Sequence, residues 1–386
     1  MSWEDYTLKD LVTLKQGFAL NKKSQHYLTG DNSGLPLLKI SDLINGTETL
    51  FVKNNIPVQF LVTPSEIIYS RTGQVGLAFM GKTGVVYNNC FKVIPNEKLD
   101  SVFIFHWLNS KSIRDYIKSL ATGAAQPDLN HDAFKSVKIN LPPLPTQKRI
   151  ASILSTYDDL IENNLKRIKL LEETAQNIYK EWFVNFRFPH YENTPFNEET
   201  GLPVGWEMKK IEDCINILKG KKPKNEYSNK GENRILYLLV DVLERKEMRF
   251  ADNENIQLTY EGETLMLMDG SRSGLVFKSL EGAIGSTLAV FRIKTSDLGN
   301  NYCFNYFKFR EAEIISKNTG SAIPHANKSY IIGMEIPIPT PSLKNEFELI
   351  TSKIYKQIEL IFTQNQKLKE ARDILLPRLM NRTIEV

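Results

Sequence analysis

The residues with the most familiar chemistry are Gly76-Leu-Ala-Phe-Met-Gly81-Lys82-Thr83, a complete GxxxxGK[ST] string. Such a string cradles phosphates when a strand delivers a glycine-rich loop into a helix N-terminus, aiming backbone N–H groups at the ligand. Here the intervening residues are bulky and apolar, and the strand-like Gly84-Val-Val-Tyr follows. The context predicts a β-hairpin; a phosphate-binding enzyme built on Gly81, Lys82 and Thr83 is the competing reading. The five histidines, His26, His106, His131, His190 and His325, form no HExxH and no pair at ligand spacing. His106 lies in an apolar stretch and reads as core. Cys90, Cys214 and Cys303 are far apart and odd in number, so neither a disulfide framework nor a zinc site is expected. No GxSxG occurs. The Leu141-Pro-Pro-Leu run lacks the preceding Asn or Asp and the following aromatic with which an amino-methyltransferase grips a flipped base. The residues therefore predict no catalytic group, no metal ligand and no cofactor site in this chain.

What remains is binding chemistry. Lys22 and Lys23 follow one glycine turn, and Lys221, Lys222 and Lys224 follow another. Arg71 and Gln74, with Lys82 beyond them, mark one hairpin and Arg272 marks a second; Gln126 and Asn130 align with Ile323 and Asn327. Lysine and arginine neutralise phosphates, while Arg, Gln and Asn can bond bidentately to guanine or adenine edges. Any one of these residues alone reads as an ordinary solvated side chain. Their recurrence at matched loops, with differing identities, predicts two related sites that read different DNA sequences.

The recurrence extends along the chain. Trp3 precedes Leu14-Lys-Gln-Gly17 as Trp206 precedes Ile217-Leu-Lys-Gly220, each glycine 14 residues past its tryptophan. Arg71-Thr-Gly-Gln-Val-Gly76 pairs with Asp269-Gly-Ser-Arg-Ser-Gly274, and Thr122-Gly-Ala-Ala-Gln-Pro-Asp-Leu-Asn130 with Thr319-Gly-Ser-Ala-Ile-Pro-His-Ala-Asn327. Val137-Lys-Ile-Asn-Leu-Pro142 parallels Met334-Glu-Ile-Pro-Ile-Pro339. Four matches in one order predict an internal repeat of about 190 residues.

Each copy opens with short β-like runs punctuated by Gly and Pro, such as residues 66–70, 85–87, 264–268 and 288–293, and has a helical patch over 102–120 in the first copy. This predicts an α/β (mixed α+β) module around one strongly bent sheet. Each copy then ends in a long helix. Ile150, Leu154, Tyr157, Ile161, Asn164, Ile168, Leu171, Ala175, Ile178 and Trp182 alternate steps of four and three, the 3.5-residue seam of a coiled coil. The second copy supplies Phe347, Ile354, Ile358, Ile361, Asn365, Leu368, Leu375 and Leu379, interrupted by Thr351 and Arg372. Intramolecular antiparallel pairing of two helices about 50 Å long satisfies both seams, with Asn164 and Asn365 setting register. The expected segments are a first module over 1–145, a helix over 146–187, an irregular connector over 188–205, a second module over 206–342 and a helix over 343–386.

Composition agrees with a folded chain: 386 residues, 41% hydrophobic, 24% charged, and a mild formal charge of +4 that permits an anionic partner. The most apolar stretches, residues 102–108 and 235–243, are too short to span a bilayer. The acidic, aromatic N-terminus is unlike a signal peptide. A cytoplasmic protein without membrane association is expected.

The motifs together resemble the specificity (S) subunits of type I restriction–modification systems. The resemblance is carried by Trp3-Glu-Asp-Tyr-Thr-Leu, Leu141-Pro-Pro-Leu-Pro-Thr-Gln-Lys-Arg-Ile-Ala151, Tyr179-Lys-Glu-Trp-Phe-Val-Asn-Phe186, Gly201-Leu-Pro-Val-Gly-Trp206 and Arg372-Asp-Ile-Leu-Leu-Pro-Arg-Leu-Met380, and spans nearly the whole chain. It implies two target-recognition domains reading the halves of a bipartite double-stranded DNA site, with the paired helices as a ruler for the spacer. It also implies docking of two methylation (M) subunits and two restriction (R) subunits. S-adenosylmethionine, ATP and Mg would be held by those partners, and this chain would supply sequence choice in defence against foreign DNA. Thr340-Pro-Ser-Leu343 departs from Pro143-Leu-Pro-Thr146, so unequal M-subunit docking surfaces are expected. A helical scaffold that assembles proteins without reading DNA is the other competing class.

Overall fold

The computed structural model describes residues 3–123, 125–320, 323–380 and 383–384. Ala124 and the Ser321-Ala322 pair, inside the repeated nonapeptides, lie outside the described residues. The chain divides into two compact units, residues 1–164 with 363–386 and residues 165–362. This division cuts across the expected segments, because each long helix is shared between the units.

In the first unit, Glu4–Thr7 pairs antiparallel with Lys138–Leu141. One four-stranded sheet has the order Val12–Gln16, Cys90–Pro95, Ile67–Ser70, Ala78–Phe79; another has Phe51–Val52, Leu35–Leu38, Gly84–Val86, Leu61–Val62. The module is thus two sheets and a two-stranded ladder, a correction to the single bent sheet. The reason is visible in the strand lengths: several strands have two to four residues, too few to cross from one packing layer to the other. Ile67–Ser70 is buried along its whole length, as suits a strand covered on both faces. The helical patch resolves into Ser101–Asn109 and Lys111–Ser119. Asp100 starts the first of these, its carboxylate accepting from the N–H groups of Val102 and Phe103 at 3.0 and 2.9 Å.

The second unit repeats this plan. Glu207–Lys210 pairs with Glu335–Ile338, and the four-stranded sheet runs Ile215–Lys219, Leu288–Ile293, Thr264–Leu267, Val276–Lys278. The other sheet gains a strand, Glu226–Tyr227, at its edge. Among the described residues a parallel strand pair recurs in each unit, with Leu37 beside Val85 and Tyr237 beside Ala283. The matched glycines are required by close backbone approach. A Cβ on Gly17 would lie 2.2 Å from the Tyr87 carbonyl oxygen, and one on Gly220 would lie 2.1 Å from that of Gly285. The connector is largely irregular, with a short 3-10 turn, Tyr191–Asn193, and an isolated bridge between Phe196 and Pro203, yet its Phe188 and Leu202 are buried in the second unit's core.

The long helices span Leu144–Tyr179 and Pro341–Met380. The second ends before the expected 386, and residues 383–384 form a bend. In the first unit Ile150 and Leu154 share a core with Leu376 and Leu379, Asp158 binds Arg372, and Asn164 Nδ2 donates to Asn365 Oδ1 at 2.8 Å. Numbers rise on one helix as they fall on the other, so these segments are antiparallel. In the second unit Ile168 and Ala175 are buried with Tyr355, Ile358 and Ile361, and Leu171 and Ile354 pack against them. Leu154 and Ile161 are buried, whereas Leu368 and Leu375 are half-buried.

The seam departs from its 3.5 period at one end. Tyr179 and Phe183 are buried, and Ile178 and Trp182 only flank them. Steps of four bring the helix into the module core there, and a π-helical turn over Lys180–Val184 ends it. Arg372, an interruption in the sequence pattern, is used: its guanidinium and the Asp158 carboxylate sit beside His106, whose Nδ1 is 3.8 Å from Asp158. Burial holds the His106 pKa below its ordinary value, aided by Arg372 and opposed by Asp158. A depressed folded-state pKa contributes stability that is complete above about pH 6.5 and is lost as pH falls toward the folded value. The melting temperature should therefore drop on acidification from pH 7 to 5. H106Q should show a shallower drop in the same thermal scans.

Candidate nucleic-acid interface

In the first unit three loops meet at the end of the sheet that carries Val12–Gln16. Backbone bonds fix them: Gly17 N to Cys90 O, Arg71 N to Asn89 O, Gly73 N to Pro127 O at 2.8 Å and Leu129 N to Arg71 O at 2.9 Å. The Thr122–Asp128 loop closes on itself through two further bonds, Thr122 N to Asp128 O and Asp128 N to Thr122 O. Gln74 and Gln126 are exposed on the segments so joined.

The Asp128 carboxylate is central. It accepts from Arg71 Nε at 3.2 Å and NH2 at 2.6 Å, and from the Thr72 hydroxyl. Arg71 NH1 also donates to Gln16 Oε1 at 3.0 Å. The Arg71 hydrogen bonds, then that of Thr72, hold the Asp128 carboxyl below the usual carboxylate range. Arg71, expected to contact DNA directly, is thus bonded to both the Asp128 loop and the Gln16 strand.

The second unit gathers the equivalent segments through Gly220 N to Leu288 O, Met268 N to Thr287 O, Gly270 N to Pro324 O and Ala326 N to Met268 O. Here Asp269 holds the centre. Its Oδ1 is 2.7 Å from His325 Nδ1, and its Oδ2 is 2.9 Å from Lys219 Nζ. Burial raises the Asp269 pKa, but the bonds from Lys219 and His325 outweigh it and the net shift is downward. The bonds also correct the sequence alignment. Gly73 and Gly270 make the same contact, so Thr72, one residue after Arg71, is the counterpart of Asp269. The second turn has one extra residue before Gly274.

Asn130 and Asn327 have the same job in both units. Asn130 caps the His131–Lys135 helix, accepting from Ala133 N at 2.8 Å, and Asn327 caps Lys328–Gly333, accepting from Tyr330 N at 3.0 Å. Their recurrence includes a shared helix start, which the sequence reading of them as DNA contacts did not foresee. Arg272 is paired with Glu244 at 2.6 Å and is about half exposed. By contrast Lys22, Lys23, Lys221, Lys222 and Lys224 are exposed, and no ion pair engages any of them among the described residues. Lys82 is half-buried in the turn between Ala78–Phe79 and Gly84–Val86. That turn leads into a strand, so Gly76–Thr83 lacks the helix N-terminus a phosphate cradle needs.

Gln16, Asp128, Lys219, Asp269 and His325 were not singled out by sequence reasoning. A signal existed: all lie inside or beside the repeat-matched strings, where Gln16 falls opposite Lys219 and Asp128 opposite His325. Among the described residues no group of His, Cys, Asp and Glu is placed to hold a metal ion, and no helix is long and apolar enough to cross a membrane. Cys90 and Cys303 are buried thiols with pKa pushed up to about 12.

Comparison with known proteins gives this arrangement a family. The profile of the type I restriction modification DNA specificity domain matches residues 1–173 and 203–370, one copy per repeat. The type I restriction enzyme MjaIX specificity subunit of Methanocaldococcus jannaschii is 25% identical, with 98% of this chain and 92% of that protein aligned. The MjaVIII specificity subunit of the same organism is 29% identical over 62% of this chain and 55% of its own length. The crystal structure of a type I restriction–modification S subunit from M. genitalium has the same fold at a TM-score of 0.56 and 15% identity, covering 98% of this chain and 96% of that one. Two fold-equivalent modules, each followed by a long helix and each matched by the same profile, place the chain in the type I restriction–modification DNA specificity family.

Proposed function

We propose that this chain is the sequence-reading subunit of a type I restriction–modification enzyme and is itself non-catalytic. Each module docks one half of a bipartite double-stranded DNA site. Lys22, Lys23, Lys221, Lys222 and Lys224 neutralise phosphates, and Gln74, Gln126 and neighbouring loop residues reach base edges in the major groove. Arg71, Arg272, Asn130 and Asn327 support the loops. The observation that carries this reading is the pair of loop clusters with one backbone framework, different side chains and flanking unpaired lysines. Because the side chains differ, the site is asymmetric.

On this reading the long helices set the half-site separation, about one DNA turn or 34 Å, and linkage of two weak readers raises the effective concentration of each. Two M subunits dock on the helical region and two R subunits join them in the cytoplasm. S-adenosylmethionine, ATP and Mg act on those partners. The test is methyladenine mapping across the host genome with the gene intact and deleted. Loss of one split, asymmetric motif is expected. Exchange of residues 206–342 for the module of a relative should alter one half-site and leave the other and the spacing intact. Change in both halves, or DNA binding without sequence preference, would exclude the division of labour.

A further inference from the structure

The same three segments meet in both modules around one carboxylate, but the carboxylate comes from opposite sides. In the first module the loop carries the acid, Asp128, and the hairpin carries the cation, Arg71. In the second the hairpin turn carries the acid, Asp269, while the loop supplies His325 and the strand supplies Lys219. The loops themselves are alike. Thr122–Asp128 and Thr319–His325 have the same length, and Gly123 and Gly320 take φ of 99° and 90°. Both glycines face a carbonyl oxygen of the same turn, that of Gln126 or Ile323, where a Cβ would lie within 2.6 or 2.4 Å. One backbone design therefore has two clasps of reversed polarity.

We propose that these clasps are positioning devices for base reading: each holds its loop against its hairpin in the register that presents the loop's readers to DNA. The inference rests on the function proposed above. Its physical ground is a mismatch between the clasp's geometry and its value to overall stability. Side chains of Arg71 and Asp128 are 23% and 39% exposed, and those of Asp269 and His325 26% and 50%. Ion pairs at such exposure add little to folding. A bidentate arginine–carboxylate pair nonetheless fixes direction as well as distance. Short loops with few buried contacts open at low free energy, so a small contribution selects among their conformers.

The reversed polarity has a second consequence. A hybrid joining the Asp269 turn to the Asp128 loop sets two carboxylates at one junction. Joining the Arg71 hairpin to the His325 loop leaves the arginine without its acid. Modules are exchangeable whole and not in parts.

The experiment uses the full chain assembled with its methyltransferase partner. Methylation rates are compared on the cognate site and on sites with single base changes in either half. Arg71→Ala and Asp128→Ala should each lose about tenfold in discrimination at the first half-site, the equivalent of 1.4 kcal/mol, with the second half-site unaffected. Asp269→Ala should do the converse. The reversed pair, Arg71→Asp with Asp128→Arg, should recover most of the loss, which a purely structural role measured by melting temperature does not require. Unchanged discrimination in the single variants, equal loss at both half-sites, or no recovery in the reversed pair would overturn the clasp. A wild-type complex that reads no split site would instead overturn the DNA-reading function, and the proposal with it.

Discussion

Alanine at Lys22, Lys23, Lys221, Lys222 and Lys224 together should weaken DNA binding by the assembled methyltransferase about 10³-fold at roughly 0.2 M salt. The estimate follows from counterion release. Each phosphate neutralised steepens the fall of log K with log salt by about 0.9, so five contacts extrapolated to a 1 M reference amount to about three decades. The slope itself should flatten by about four to five units, and specificity should be retained because phosphates carry no sequence information. These side chains are exposed and, among the described residues, outside every ion pair, so folding stability should change by no more than about 0.5 kcal/mol. Binding titrations across a salt series, paired with a thermal melt, separate the two effects. An unaltered slope would remove these lysines from the DNA interface.

Phe347→Ala should destabilise the second unit severely. The ring is fully buried and sits 5.0 Å from Phe183, 6.0 Å from Trp182 and 6.2 Å from both Tyr179 and Tyr302, centroid to centroid. It joins the start of the second long helix to the end of the first and to the module's Asn300–Phe309 helix. Truncation of a buried phenylalanine costs about 3–5 kcal/mol through lost transfer energy and the remaining cavity. Set against a net stability of about 5–15 kcal/mol for a typical domain, that is a large fraction. Urea unfolding should show a lowered midpoint with an unchanged slope. Phe347→Leu, which keeps most of the volume, should recover the greater part. A stability loss under about 1 kcal/mol for the alanine variant would mean that the aromatic cluster repacks.

The large elements were legible because their signals are periodic or punctuating. Ile150, Leu154, Ile161 and Ile168 recur at helical spacing, prolines mark where each long helix starts, and paired tryptophans and glycines date the two copies against one another. What escaped was whatever depends on partners distant in sequence. Nothing local to Arg71 says that Asp128 will occupy its guanidinium, and a one-residue insertion before Gly274 hid the alignment of Thr72 with Asp269. The capping role of Asn130 and Asn327 also escaped although a local signal was present: each stands just ahead of a short helix, where a side-chain acceptor satisfies a free N–H. Recurrence marks what a fold needs as readily as what a function needs. Tyr179 and Phe183 replaced Ile178 and Trp182 because the helix there packs into the module core together with Phe347 of the second long helix, and that surface imposes a different step.

The division of the chain also has a consequence for its synthesis. The first unit is discontinuous, residues 1–164 being completed only by residues 363–386. Ile150 and Leu154 leave the ribosome long before Leu376 and Leu379, which share their core. The interval is about 220 residues, on the order of 10–45 s at usual elongation rates. During that time the whole second unit can emerge and fold, while an apolar stripe on the nascent first helix stays uncovered. Completion of the first unit therefore waits on the last helix, however fast either module folds by itself.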